Sequence, residues 1–374
     1  MINKIRPYSI DGNVSRFEKL DALRGCFAIL VVFYHFTYDI FDPENYLSNF
    51  IFSQSYIFVD FFFVLSGFVI CHRYSDKLND TKSFATFMKK RFIRLYPLLV
   101  YSVLMYSILK LYGLINQHGF SDPNYSWGTW GMEILEALTL MNSNPIFGSS
   151  LGMNPVTWTI SAEMICYFLF GVVLVIGKNR FNYLFLFVHI FCFGFLFLDG
   201  SYSVSGNFGF VRGILNFSIG VMVYSLFLIK ALNTSILQGI YILFLVILLF
   251  VFDNVPDIYK LILPYIFGFG VYIFANDSQG VNFLKNNFFK FLGERSYSIY
   301  LNHYLILWVV YFLEFRILNF PYNVVTTVIC LCISLFATLI YSDFTYKYIE
   351  IISKNRLSKW KSIPRLVNSK YDRR

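Results

Sequence analysis

Apolar positions fall in ten runs of about 17–25 residues. They lie near 20–40, 56–72, 92–113, 157–177, 181–198, 208–229, 236–253, 258–276, 297–316 and 322–343. Runs of that length with so few charges predict membrane-spanning helices. The first run has no small-residue cleavage site and too long an apolar core for a signal peptide, so it counts as a span. The expected fold is all-α, a polytopic integral membrane protein of about ten transmembrane helices. Residues 1–19 form a basic N-terminal arm, 20–343 a single integral membrane domain, and 344–374 a basic tail. No internal repeat, linker or appended soluble domain is expected.

The polar positions between the runs set the orientation. Lys4, Arg6, Arg16 and Lys19 precede the first run, and Arg73, Lys77, Lys82, Lys89, Lys90 and Arg91 follow the second. Lys178, Arg180, Lys230, Lys285, Lys290, Arg295 and the tail fall on that same side. Lys110, Arg212, Lys260 and Arg316 lie opposite, which leaves 27 of the 31 basic residues on one side. Positive charge marks the cytoplasmic side, so both termini are expected there.

Composition agrees. Hydrophobic residues make up 57% and charged residues 14%, with a mean hydropathy of +0.56, whereas a soluble domain carries about 25% charged residues. The net charge of +9 sits in loops flanking the spans. It therefore reports topology in a lipid bilayer, and nucleic acid is not an expected partner. The six cysteines lie in or at the ends of spans and read as small buried hydrophobes. Cys330 and Cys332 are two apart, about 200° around a helix, and make no metal pair. No metal site or cofactor is expected.

One connection is long. Residues 114–156 contain no Lys or Arg and lie on the outer side. Within them, 129–141 places Trp130, Ile134, Leu138 and Met141 at helical spacing, as in an interfacial amphipathic helix. Tyr125, Trp127 and Trp130 are candidates to stack on a sugar at the acceptor side, or simple interface anchors.

Ionisable groups inside spans are costly and mark candidate chemistry. By helical rise they fall at two levels. His35, Asp60, Glu163 and Arg212 lie near the outer ends. Arg24, Arg91, Arg94, Arg295 and His303 lie near the inner ends. Arg24 and His35 are eleven positions apart, so they share a helix face about 16 Å apart in height. Each group has a plainer reading: Arg24 snorkelling beside Asp21, Arg91 and Arg94 as topology charges, Asp60 and Glu163 capping first turns. His72, His118 and His189 have nothing nearby that suggests a role. The two-level pattern is what the plainer readings leave unexplained.

Five motifs carry a resemblance: LDALRGCFAILVVFYH (20–35), VDFFFVLSGFVI (59–70), KRFIRLYP (90–97), TWTISAEMICYF (157–168) and SYSIYLNH (296–303). In this order the chain resembles the bacterial membrane acyltransferase-3 family, which modifies surface polysaccharides and other acceptors. The resemblance implies a multi-pass protein of the cytoplasmic (inner) membrane. It makes His35 the catalytic histidine and Arg24 its paired arginine, with Arg91 and Arg94 at an acyl-CoA donor. Asn302 departs from the pattern, where an aromatic residue is common. The hydrolase-like domain fused in some relatives has no counterpart, so a second transfer step within the chain is not expected.

The layout suits that chemistry. Transfer to a sugar hydroxyl needs a base, and neutral imidazole serves near pH 7. A carboxylate on its other nitrogen holds the tautomer, and Asp60 and Glu163 are the candidates. Arginines bind the phosphates of coenzyme A, and Arg295 and His303 join the donor group. Arg212, Trp127 and Trp130 are expected on the acceptor side. The expected function is acyl-CoA-dependent O-acyl transfer, acetyl being the expected group, to a surface or lipid-linked saccharide. The alternative is a transporter or flippase for lipid-linked saccharides, since buried charges also line substrate paths. A structural or assembly subunit would explain none of the two-level charges.

Overall fold

The computed structural model describes residues 17–37, 51–116, 125–145, 151–177, 180–229, 234–252, 255–276 and 280–359. Lys4, Arg6, Arg16, His118, Lys178, Lys230 and the tail from 360 lie outside the described residues. So do the end of the first expected span and two stretches of the long outer loop.

Twelve helices follow one another among the described residues, with no strand. They are α1 (Glu18–His35), α2 (Phe58–Tyr74), α3 (Thr81–Asn116), α4 (Trp127–Thr139), α5 (Trp158–Gly177) and α6 (Phe181–Asp199), then α7 (Gly209–Ile229), α8 (Ser235–Val251), α9 (Leu263–Ala275), α10 (Asn287–Tyr311), α11 (Val324–Thr345) and α12 (Ile352–Lys359). Eight helices, counted with their flanking turns, are long and apolar enough to cross a membrane, and α8 is a shorter apolar one. These nine correspond to the second to tenth expected spans; α1, whose Glu18, Lys19, Asp21 and Arg24 keep it out of that count, lies in the first. The amphipathic segment of the outer loop is α4, capped by the Ser126 side chain on the Thr129 amide at 3.2 Å.

Two helix pairs set the interior, and both rest on glycine. Gly67 of α2 and Gly220 of α7 each lie against the other helix's backbone: a Cβ on Gly67 would lie 2.1 Å from the Phe217 carbonyl oxygen, and one on Gly220 2.0 Å from that of Val64. Gly25 of α1 lies against α10, where a Cβ would lie 2.6 Å from the Gly293 nitrogen. Small residues at such crossings let backbones approach where lipid gives no hydrophobic drive between helices. α1 and α10 run parallel, because Arg24 meets Gly293 and Ser296 at one end while His35 meets His303 and Tyr304 at the other. Outward, α6, α8 and α11 expose Phe187, Leu198, Ile236, Phe250, Val325 and Phe336, the faces a bilayer covers.

Three boundaries differ from the sequence reading. α3 starts eleven residues before its expected span and is 36 residues long, about 54 Å, so Arg91 and Arg94 lie within a helix that outreaches a hydrocarbon core of about 30 Å. α10 begins at Asn287 rather than 297, its amide at Phe289 capped by Asn286 at 3.1 Å. The helix of the tenth span does not end at 343. It continues through a π-helical segment, Tyr346–Ile351, into α12. The charges of Asp343, Lys347 and Glu350 hide this continuation from hydropathy, although Tyr341, Phe344, Tyr348 and Ile352 keep a helical period. Cys330 is buried and Cys332 exposed, as their spacing requires.

Candidate active site

A cavity of about 120 Å³ opens between α1, α2, α3, α5 and α10, room for several waters or a narrow flexible chain. Arg24, Arg91, Arg94 and Glu163 all line it. Each arginine is held differently. Arg24 donates to the Ser296 hydroxyl at 2.7 Å and the Gly293 carbonyl at 2.8 Å, and pairs with Asp21 at 3.4 Å. The glycine contact that draws α1 against α10 is what brings these partners within reach.

Arg91 is only 6% exposed. Its Nη2 donates to the Tyr74 hydroxyl at 2.9 Å, and its guanidinium stacks near the rings of Tyr74, Phe87 and Tyr167. Its Nε and Nη1 have no hydrogen-bond partner among the described residues. Arg94, one turn on, is accessible and lies in the field of Glu163, Glu350 and Asp21.

Glu163 was expected at the outer level as a candidate partner of His35. It lines the arginine cavity instead, accepting hydrogen bonds from the hydroxyls of Ser66, at 2.9 Å, and Tyr167. α5 begins at Trp158, one residue from the expected start, and its rotation turns Glu163 toward Ser66 of α2 and the arginines of α3. Asp60 is wholly buried and clasped by Arg212, with Nε–Oδ1 at 2.8 Å and Nη2–Oδ2 at 2.9 Å, and Asn216 adds a third bond at 3.0 Å. Arg212 is thus not presented to an acceptor. It ties α7 to α2 beside their glycine crossing, with Tyr202 and Trp158 against its guanidinium.

His303, expected with the donor arginines, packs against His35 with ring centroids 5.1 Å apart. It is fully buried, its Nδ1 faces the Ile299 carbonyl at 3.2 Å, and its Nε2 has no partner among the described residues. Tyr304 stands edge-on to His35 at 5.2 Å. Tyr300 lines the arginine cavity, and its ring is 5.9 Å from that of His303. Tyr300 thus touches both the cavity and the histidine pair.

Arg295 does not line the cavity. It pairs with Asp343 at 2.6 Å and stacks on Phe291 and Tyr346, fastening α10 to α11. On the outer helix, Trp130 donates to the Ser107 carbonyl at 3.2 Å, while Trp127 is 61% exposed. Glu133 joins Lys110 at 2.8 Å and the Tyr125 hydroxyl at 2.7 Å. Burial and that carboxylate push the Tyr125 hydroxyl up, so it stays protonated. His189 is a packing residue between Ser218 and Tyr265.

The sequence reading missed Ser66, Tyr74, Tyr167, Ser296 and Glu350. Tyr167 was within reach of notice, four positions after Glu163 on one helix face. Glu350, whose carboxylate accepts from the Ser298 hydroxyl, lay in a segment taken as tail.

A family model described as an acyltransferase domain matches residues 17–342. The chain is also similar to "Protein 2 in picA locus" of Rhizobium radiobacter, 42% identical over 86 residues. That stretch is 23% of this chain and 41% of the relative, so the match spans less than half of that protein. No solved structure matches. With the match running across all five helices that build the cavity, this multi-pass membrane protein belongs to the acyltransferase-3 family.

Proposed function

We propose that the protein moves an acyl group, acetyl in the simplest case, from a cytoplasmic acyl-CoA to a hydroxyl of a surface or lipid-linked saccharide at the outer side. The observation that carries this reading is Arg91, a buried guanidinium lining a cavity with Nε and Nη1 unpartnered among the described residues. An unpaired buried charge is costly, and a phosphate oxygen is the partner that guanidinium geometry suits. Arg24 and Arg94 supply two more cations, and Glu163 steadies Arg94. The basic loops support a cytoplasmic position for this end, where coenzyme A is available.

In this reading the donor's acyl arm passes Tyr300 toward the histidine pair. His35 removes the acceptor hydroxyl's proton as that oxygen attacks the thioester carbonyl. The carbon–sulfur bond breaks, and the proton leaves with the thiolate as coenzyme A. His303 and Tyr304 hold the His35 ring. Both donor and acceptor are substrates, no cofactor is required, and the host is the bacterial inner membrane.

The test is release of free thiol from acetyl-CoA by purified protein against a panel of glycans. Thiol release that depends on one glycan, with the acyl group recovered on it, is the expected result. Glycan movement across vesicles without acetyl-CoA consumption would instead support a transporter.

A further inference from the structure

The family match ends at residue 342, yet the helix runs on and returns a carboxylate to α10, two residues from the hydroxyl that holds Arg24. Asp343 pairs with both Arg295 and Lys347 at 2.6 Å, fastening the start of this extension to α10. The π-helical turn Tyr346–Ile351 follows, and both it and α12 pack on α3, the helix of Arg91 and Arg94. Such π-turns re-aim side chains and recur at functional sites. Here Glu350 is half-buried and accepts from the Ser298 hydroxyl on α10. Two residues earlier, Ser296 holds Arg24 at 2.7 Å. Between them, Tyr297 lines the cavity and donates to the carbonyl of Leu95, the neighbour of Arg94, at 2.7 Å. Arg94 and Arg24 both lie within the field of Glu350.

We propose that Glu350 is a built-in counter-anion of the donor site, balancing Arg94 and Arg24 while the site is empty and competing with the donor's phosphates when it fills. This rests on the reading of the arginines as phosphate ligands. Three guanidiniums around one small cavity repel each other, and charges in a partly dehydrated site are screened weakly. Glu163 offsets part of that repulsion from inside the cavity, where Ser66 and Tyr167 hold it. Glu350 offsets more from outside, on a segment beyond the matched region. Once phosphates arrive, Glu350 is a like charge beside them. It weakens the bound state and hastens release of spent coenzyme A.

The test titrates detergent-purified full-length protein with coenzyme A and follows its dissociation by stopped-flow fluorescence. Glu350→Gln keeps the size and the Ser298 contact but removes the charge. It is expected to bind coenzyme A roughly three- to tenfold tighter, to release it correspondingly more slowly, and to show a steeper salt dependence. Glu350→Asp keeps the charge and is expected to stay near wild type. Equal or weaker binding in Glu350→Gln, or tightening in Glu350→Asp as large as in Glu350→Gln, overturns the proposal. Failure of the wild-type protein to bind coenzyme A would instead sink the donor reading itself.

Discussion

At the scale of the residue, the proposed function divides the work between Arg91 and His35. Arg91 lies in an aromatic pocket with one hydrogen bond among the described residues, to Tyr74, and in the proposed reading a phosphate supplies the rest. Hydrogen bonds to charged groups contribute about 1.5–3 kcal/mol, and Arg91→Ala should weaken coenzyme A binding roughly 10–100-fold. Arg91→Lys should recover only part of this, because an ammonium cannot reproduce the planar fork. Calorimetric titration checks both, and wild-type affinity in Arg91→Ala would refute the phosphate role. His35→Ala should lose about 10²–10⁴ in transfer rate while binding coenzyme A as before. Asp60 belongs to a different account. Removing one partner of a buried pair costs about 3–5 kcal/mol, so Asp60→Asn should lower thermal stability, and Arg212→Met should do the same. A normal melting curve for Asp60→Asn with transfer lost would return Asp60 to the catalytic group.

At the scale of the element, the α1–α10 pair positions both ends of the site at once. The crossing of Gly25 on Gly293 brings Arg24 to Ser296 and, further along the same two helices, His35 to His303. Gly25→Leu should therefore reduce coenzyme A binding and transfer together, even in variants that still insert and elute as folded protein. Gly194 of α6 has open space where a Cβ would stand. Gly194→Ala should leave activity unchanged and stability equal or better by up to about 1 kcal/mol. Fluorescence-detected size exclusion over a temperature ramp compares the two. A Gly25→Leu protein with full donor affinity would show that the close crossing is dispensable for the site.

At the scale of the whole molecule, the prediction is sidedness. The sequence expectation puts 27 of the 31 basic residues on one side, and in the proposed reading the arginine cavity opens toward that side with α4 and Trp127 opposite. A cysteine at position 125 should react with an impermeant reagent from outside, and one at position 80 should not. In sealed vesicles with acyl-CoA on the cytoplasmic face, an impermeant glycan should be modified only from the outer face. Modification only from the cytoplasmic face would reverse the acceptor assignment.

The helical class, most of the spans and the charged residues that line the cavity were legible in the sequence. Each rests on a local signal: an apolar run long enough for a bilayer, or charges three apart on one helix as in Arg91 and Arg94. What each charged group touches was not legible. Asp60 meets Arg212 across 152 positions and Glu350 meets Ser298 across 52, and helical height cannot say toward which neighbour a side chain turns. Glu163 shows this most clearly, since rise alone made it a candidate partner of His35 whereas the rotation of α5 turns it into the cavity of the arginines. The chain alone determined that charges lie buried in a membrane. Packing of the helices decided which of them pair off to hold the bundle and which remain open to a ligand, because that choice depends on backbone approach at Gly25, Gly67, Gly220 and Gly293.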